Sequence, residues 1–163
     1  MQVTNIIDED VVNYKEVSMF VSMPFCDGKC WKELGLPSSI CQNNHIRNDK
    51  LIYIDTFSLV ARYMSNELSK AVVFGGLEPL ESLPEIVDFI KQLRAVDCND
   101  TVVIYTGYKE DEDKVLRFKH ELKQLNISNV IIKVGRYIPN NEGRYDELLG
   151  VKLASDNQYA IQI

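Results

Sequence analysis

Four short apolar runs, VSMFVSM (17–23), AVVFGG (71–76), TVVIYTG (101–107) and NVIIKVG (129–135), most constrain how this chain can fold. Each is rich in β-branched residues and reads as a buried strand. Between them lie stripes of helical period: Ile54, Phe57, Ala61, Met64 and Leu68; then Ile86, Phe89, Ile90, Leu93 and Val96 after Pro84; then Val115, Phe118, Leu122 and Leu125. Strands that alternate with helices form βαβ units with right-handed crossovers. The expected class is therefore α/β, with a parallel sheet of repeated βα units. No repeat, low-complexity tract or Pro/Gly/Ser linker divides the 163 residues, a length that suits a single domain over 1–163.

Composition narrows the partners. With 45% hydrophobic and 26% charged residues the chain reads as soluble, and no segment approaches the roughly 20 apolar residues that span a bilayer. A net charge of −6 without any basic run provides no footprint for nucleic acid or an anionic membrane. A protein or a small molecule is the expected partner. The first residues, MQVTNIIDEDVVNYKE, carry acids where an export signal carries basic and apolar residues, so a cytoplasmic, reducing setting is expected. Thiols in such a setting are more often metal ligands or catalytic groups than disulfides.

In parallel α/β sheets and barrels, function gathers at the carboxyl ends of the strands. Here the first strand leads into cysteines, and the second into Gly75, Gly76, Leu77, Glu78 and Pro79. The third leads into Thr106, Gly107 and Tyr108, and the fourth into Gly135, Arg136 and Tyr137. All four ends are expected to face one site. In the loop over 24–45, three residues separate Cys26 from Cys30 and ten separate Cys30 from Cys41. Three loop thiolates suit a four-iron cluster with one iron left open for substrate or cofactor. With His45 the thiols could instead close a Cys3His zinc site, the second reading, and unliganded thiols are the third. Spacing alone leaves these open. Cys98 has no cysteine neighbour in sequence and reads as a buried free thiol.

Further motifs carry a resemblance. The stretch CDGKCWKELGLPSSICQN (26–43), with Asn43 after its last cysteine, precedes FGGLEPL (74–80), IYTGY (104–108) and LASDNQYAIQI (153–163). In that order they resemble the radical S-adenosylmethionine family, most closely the activating proteins of anaerobic ribonucleoside-triphosphate reductase. The interval between the second and third cysteines is about eight residues wider than the family pattern, and Leu77 is an extra residue in the glycine motif. The resemblance implies an incomplete TIM-like barrel in which Cys26, Cys30 and Cys41 ligate a [4Fe-4S] cluster. S-adenosyl-L-methionine would chelate the open iron, with Gly75, Gly76, Glu78, Pro79, Thr106 and Gly107 around it.

The activity implied is one-electron cleavage of S-adenosylmethionine. It would be driven by an external electron donor and spent on forming a glycyl radical in a large partner subunit, an anaerobic ribonucleotide reductase. No side chain beyond the cluster ligands is expected to be catalytic. Other glycyl-radical enzymes, a small-molecule radical substrate and a noncatalytic zinc-binding interaction domain are the alternatives. Arg136, Asn157, Gln158, Tyr137, Tyr145 and Tyr159 receive no catalytic role. The extra residues are expected to bulge away from the cluster, with Trp31 either shielding it or meeting the partner.

Overall fold

The apolar runs form the centre of one sheet, and a computed structural model describes all 163 residues around it. In chain order the strands are β1 (Gln2–Val3), β2 (Asn5–Asp10), β3 (Ser18–Met23), β4 (Ile52–Tyr53), β5 (Ala71–Gly76), β6 (Thr101–Tyr105), β7 (Val130–Val134), β8 (Tyr145–Asp146), β9 (Val151–Lys152) and β10 (Tyr159–Gln162). The helices are α1 (Lys29–Lys32), α2 (Thr56–Met64), α3 (Leu83–Ala95) and α4 (Asp113–Gln124). The main sheet has six strands in the order β10-β7-β6-β5-β3-β2. Its inner four strands are parallel, and β2 and β10 close the two edges antiparallel. The sheet is mixed and does not close into a barrel.

The two edge strands have no apolar run of their own. In β2, NIIDED, only Asp10 is buried, and β10 is exposed or half-exposed throughout. Edge strands need apolar residues on one face at most, so they leave a weak pattern.

Alternation with period two sends successive side chains to opposite faces. Met19, Val21, Val72, Phe74, Val102, Ile104, Val130 and Ile132 point to the face that α2, α3 and α4 cover, within a core of 27 buried residues. Phe74 and Phe89 meet there edge to face, with ring centroids 5.2 Å apart. The opposite face carries Ala71, Val73, Val103 and Ile131 against Tyr14, Leu149 and Leu153. Towards the carboxyl ends the residues on that face become Ser22, Gly75 and Lys133, and the apolar packing gives way to a cavity. No helix is long and apolar enough to cross a membrane.

Local signals delimit the helices. The Asp55 carboxylate accepts the Ser58 amide at 2.9 Å to cap α2, and Pro84 sits in the first turn of α3. Asp97 and Asn126, both at positive φ, follow the ends of α3 and α4. The buried face of α2 differs from the stripe read in the sequence. Leu59, Val60 and Tyr63 are buried, while Phe57, Met64 and Leu68 are 72%, 49% and 60% exposed. Both sets have helical spacing, and the sheet selects the one whose Tyr63 hydroxyl donates to Asp100 at 2.5 Å. We predict that Leu59→Ala destabilises the chain by about 2–5 kcal/mol. Phe57→Ala should change stability by less than about 0.5 kcal/mol. Urea midpoints of the two variants check this, and the reverse order would contradict the assignment.

Candidate metal centre

The cysteine loop leaves β3 at Met23 and is sewn to the glycine turn after β5. The Met23 carbonyl accepts the Leu77 amide at 3.0 Å, and the Phe25 carbonyl accepts the Glu78 amide at 2.8 Å. At the far end of the loop, the Asn43 side-chain amide donates to the Gly76 carbonyl at 2.5 Å. Cys30 lies in the short helix α1, whose first turn follows Gly28 at φ 76°. A Cβ at Gly28 would lie 2.5 Å from the Trp31 indole, so glycine is needed for conformation and for space. The Gly28 amide donates to the Cys26 sulfur at 3.2 Å. The interval after Trp31 runs across the surface, with residues 32–37 exposed and Gly35 at φ 64°.

One cavity of about 550 Å³ gathers most of the site residues read from the sequence. Cys26, Cys30, Cys41, Gly75, Gly76, Glu78, Thr106 and Gly107 all line it. Pro79 does not; it is buried behind the wall, as the first residue of a 3-10 turn that Glu78 caps. A Cβ on Gly75 would lie 2.7 Å from the Phe20 ring, and one on Gly76, at φ 83°, would lie 2.6 Å from the Ser22 hydroxyl. Backbone conformation and the Met23 backbone therefore already require glycine at 76, whereas a side chain at 75 would have to displace the Phe20 ring.

Glu78 ties the ends of β5 and β6 together. Its carboxylate accepts from the Thr106 hydroxyl at 2.7 Å, the Gly107 amide at 2.8 Å and the Leu80 amide at 3.1 Å. Burial pushes its carboxyl up to about 7, against the pull of these donors and of Lys133.

Two basic residues complete the surroundings. Lys133 is a cavity residue that the strand reading of NVIIKVG passed over, although a lysine inside an apolar run was the available signal. It is buried, and its ammonium donates to the carbonyls of Thr106 at 3.2 Å and Gly135 at 3.4 Å. Burial pulls it down to about 8, with Glu78 and Cys30 opposing.

Arg136 lies outside the cavity and holds α1 in place. It grips Glu33 with Nε at 3.0 Å and Nη2 at 2.8 Å, reaches Glu112 at 2.8 Å and donates to the Gly107 carbonyl. Lys29 of α1 joins the same Glu112 at 2.6 Å. Burial works against ionisation of Glu112, yet Arg136 and Lys29 hold its carboxyl down to about 2.

The terminal motif clamps the exit of β7. Asn157 donates to the Arg136 carbonyl at 3.0 Å and Gln158 to the Gly135 carbonyl at 3.3 Å. Gln158 and Tyr137 also line the cavity, whereas Tyr145 is exposed and Tyr159 donates to Glu110 at 2.9 Å.

His45 lines the cavity with the three thiols, but no three His, Cys, Asp or Glu side chains are grouped closely enough to hold one ion. A tetrahedral zinc needs such convergence. The thiolates of a cubane each take a different iron and surround a volume instead. Cys98 is a free thiol in the hydrophobic core, away from the cavity.

Residues 37–158 match the family model described as 4Fe-4S single cluster domain. The chain belongs to this family. No curated protein matches it. The matched region includes Cys41 and the strand ends after β5, β6 and β7, and it begins beyond Cys26 and Cys30. Three thiols, Cys26, Cys30 and Cys41, line the cavity of this iron-sulfur domain, and thiolates on a loop are the donors that such clusters use.

The carboxyl of Glu78 allows a direct check on the site's interior. An unfolded glutamate loses its proton near its ordinary value of 4.5, whereas folding holds the Glu78 proton to about 7. Between these limits the folded chain binds more protons, so stability falls as the pH rises through that window. Lys133, pulled down to about 8, acts above this window. Glu78→Gln should flatten the slope of urea midpoint against pH between about 5 and about 7. An unchanged slope would show that Glu78 titrates normally.

Proposed function

We propose that this iron-sulfur protein is a radical S-adenosylmethionine activase. The observation that carries the reading is that the three loop thiols line the same cavity as Gly75, Gly76, Thr106 and Gly107, at the carboxyl ends of parallel strands. In this reading Cys26, Cys30 and Cys41 each bind one iron, and the fourth iron is left to the amine and carboxylate of S-adenosylmethionine. The cluster and cofactor together supply one-electron cleavage of a carbon–sulfur bond and, through it, abstraction of a hydrogen atom from a C–H bond.

The chain's own residues bind, orient and exclude water. Asn43 and the amides of Leu77 and Glu78 hold the cysteine loop against the glycine turn, which fixes the distance between thiols and cofactor wall. Glu78, with both oxygens engaged by Thr106, Gly107 and Leu80, sets the shape of that wall and does not act as a base. Phe20 and Tyr105 add aromatic surface to the cavity lining. Lys133 keeps its ammonium between two carbonyls beneath it.

We read the open sheet as an incomplete barrel, within one domain, whose unclosed side admits a loop of a larger protein. The proposed partner is a large glycyl-radical enzyme subunit, with anaerobic ribonucleotide reductase favoured by the IYTGY and LASDNQYAIQI segments. An external donor provides the electron, and the reaction belongs to the cytoplasm.

Anaerobic reconstitution followed by iron and sulfide analysis tests this function. About four irons per chain and a spectrum that changes on adding S-adenosylmethionine are expected. Cys26→Ala, Cys30→Ala and Cys41→Ala should each lose the cluster, and Cys98→Ala should keep it. A folded chain that takes up zinc but no iron, or a cluster indifferent to S-adenosylmethionine, would overturn the reading.

A further inference from the structure

Four buried side-chain nitrogens in the whole chain have no hydrogen-bond partner: Trp31 Nε1, Arg47 Nε, Arg47 Nη2 and Arg94 Nε. Three of them lie in or just after the cysteine loop, and both Trp31 and Arg47 line the cavity. Buried donors are almost always satisfied, and leaving one unpaired costs about 1–3 kcal/mol, more for a charged group.

Both side chains share the cavity with the three thiols. The Trp31 indole edge, Nε1 included, packs over Gly28, whose amide donates to the Cys26 sulfur.

The protein shows what an arginine edge of this kind takes. Arg62 presents Nε and Nη2 to Asp8 at 2.7 and 2.8 Å, and Arg136 presents the same pair to Glu33. Arg47 has no Asp or Glu on that edge, which leaves it free to meet an anionic group brought into the cavity. Cluster assembly would bring negative charge into that cavity, at the cluster sulfurs and the three thiolates.

We propose that Arg47 and Trp31 are buried donors to the sulfur atoms of the iron-sulfur cluster and its thiolates, and that Arg47 makes the cluster easier to reduce. This rests on the assignment of Cys26, Cys30 and Cys41 as the cluster ligands. Hydrogen bonds and positive charge at cluster sulfurs stabilise the more negative, reduced state and raise the potential. An ionised donor acts roughly twice as strongly as a neutral one, so Arg47 should outweigh Trp31.

The test is redox titration of the reconstituted full-length chain without S-adenosylmethionine, alongside iron content. Arg47→Gln should lower the ratio of reduced to oxidised cluster about tenfold at fixed poise, a shift of about 59 mV for one electron. Trp31→Phe, which keeps the ring and loses the N–H, should lower it about threefold. Arg47→Lys, which keeps the charge and loses the fork, should fall between wild type and Arg47→Gln.

If wild type and both Arg47→Gln and Trp31→Phe hold the cluster at one potential, the assignment is overturned and the function stands. If Arg47→Gln leaves the potential unchanged but weakens S-adenosylmethionine binding, the acceptor is the cofactor's carboxylate and the assignment is again overturned. If Arg47→Gln holds no cluster, an unchanged potential in Trp31→Phe overturns it. A wild-type chain without any cluster overturns both the assignment and the function.

Discussion

Parallel pairing of β3, β5, β6 and β7 in register is the constraint on which everything else depends. Because Met23 pairs with Gly76 and Tyr105 with Lys133, the four strands end at one edge and their loops must meet there. The same register stacks Val21, Phe74 and Ile104 on the helix side, where burial of large side chains holds the sheet to α2, α3 and α4. On the other side it places Ser22 beside Gly75. Small side chains there leave the volume that becomes the cavity.

Polar side chains convert that shared edge into a rigid site. Glu78 binds the exits of two strands, Asn43 binds the loop to the glycine turn, and Arg136 binds α1 to the exits of β6 and β7. Burying Glu78, Lys133 and Arg136 is unfavourable unless each finds partners, and each has at least two. The cysteine loop and the residues just after it depart from this pattern. Their buried donors at Trp31 and Arg47 lack protein acceptors, which accords with a loop built to close around a group of opposite charge.

Much of this was legible in the linear pattern. The apolar runs at 17–23, 71–76, 101–107 and 129–135 overlap β3, β5, β6 and β7 to within two residues at each end. Asp55 and Pro84 mark helix starts by chemistry that acts within a turn. The edge strands were not legible, because NIIDED and YAIQ bury too little to show a period. Lys133 stood in plain view inside an apolar strand. Arg47 carried no signal at all, since nothing local distinguishes it from a surface arginine.

Class, central strands and the meeting of cysteines with the glycine turn follow from periodicity and turn chemistry, which are local and therefore readable along the chain. Which stripe of α2 is buried, how the edges close and what Glu78 and Arg136 hold depend on residues far apart in the chain. Arg136 reaches Glu33 across 103 positions, and Tyr63 reaches Asp100 across 37. Packing and hydrogen bonding at such separations are chosen by the assembled sheet, so only the tertiary structure decided them.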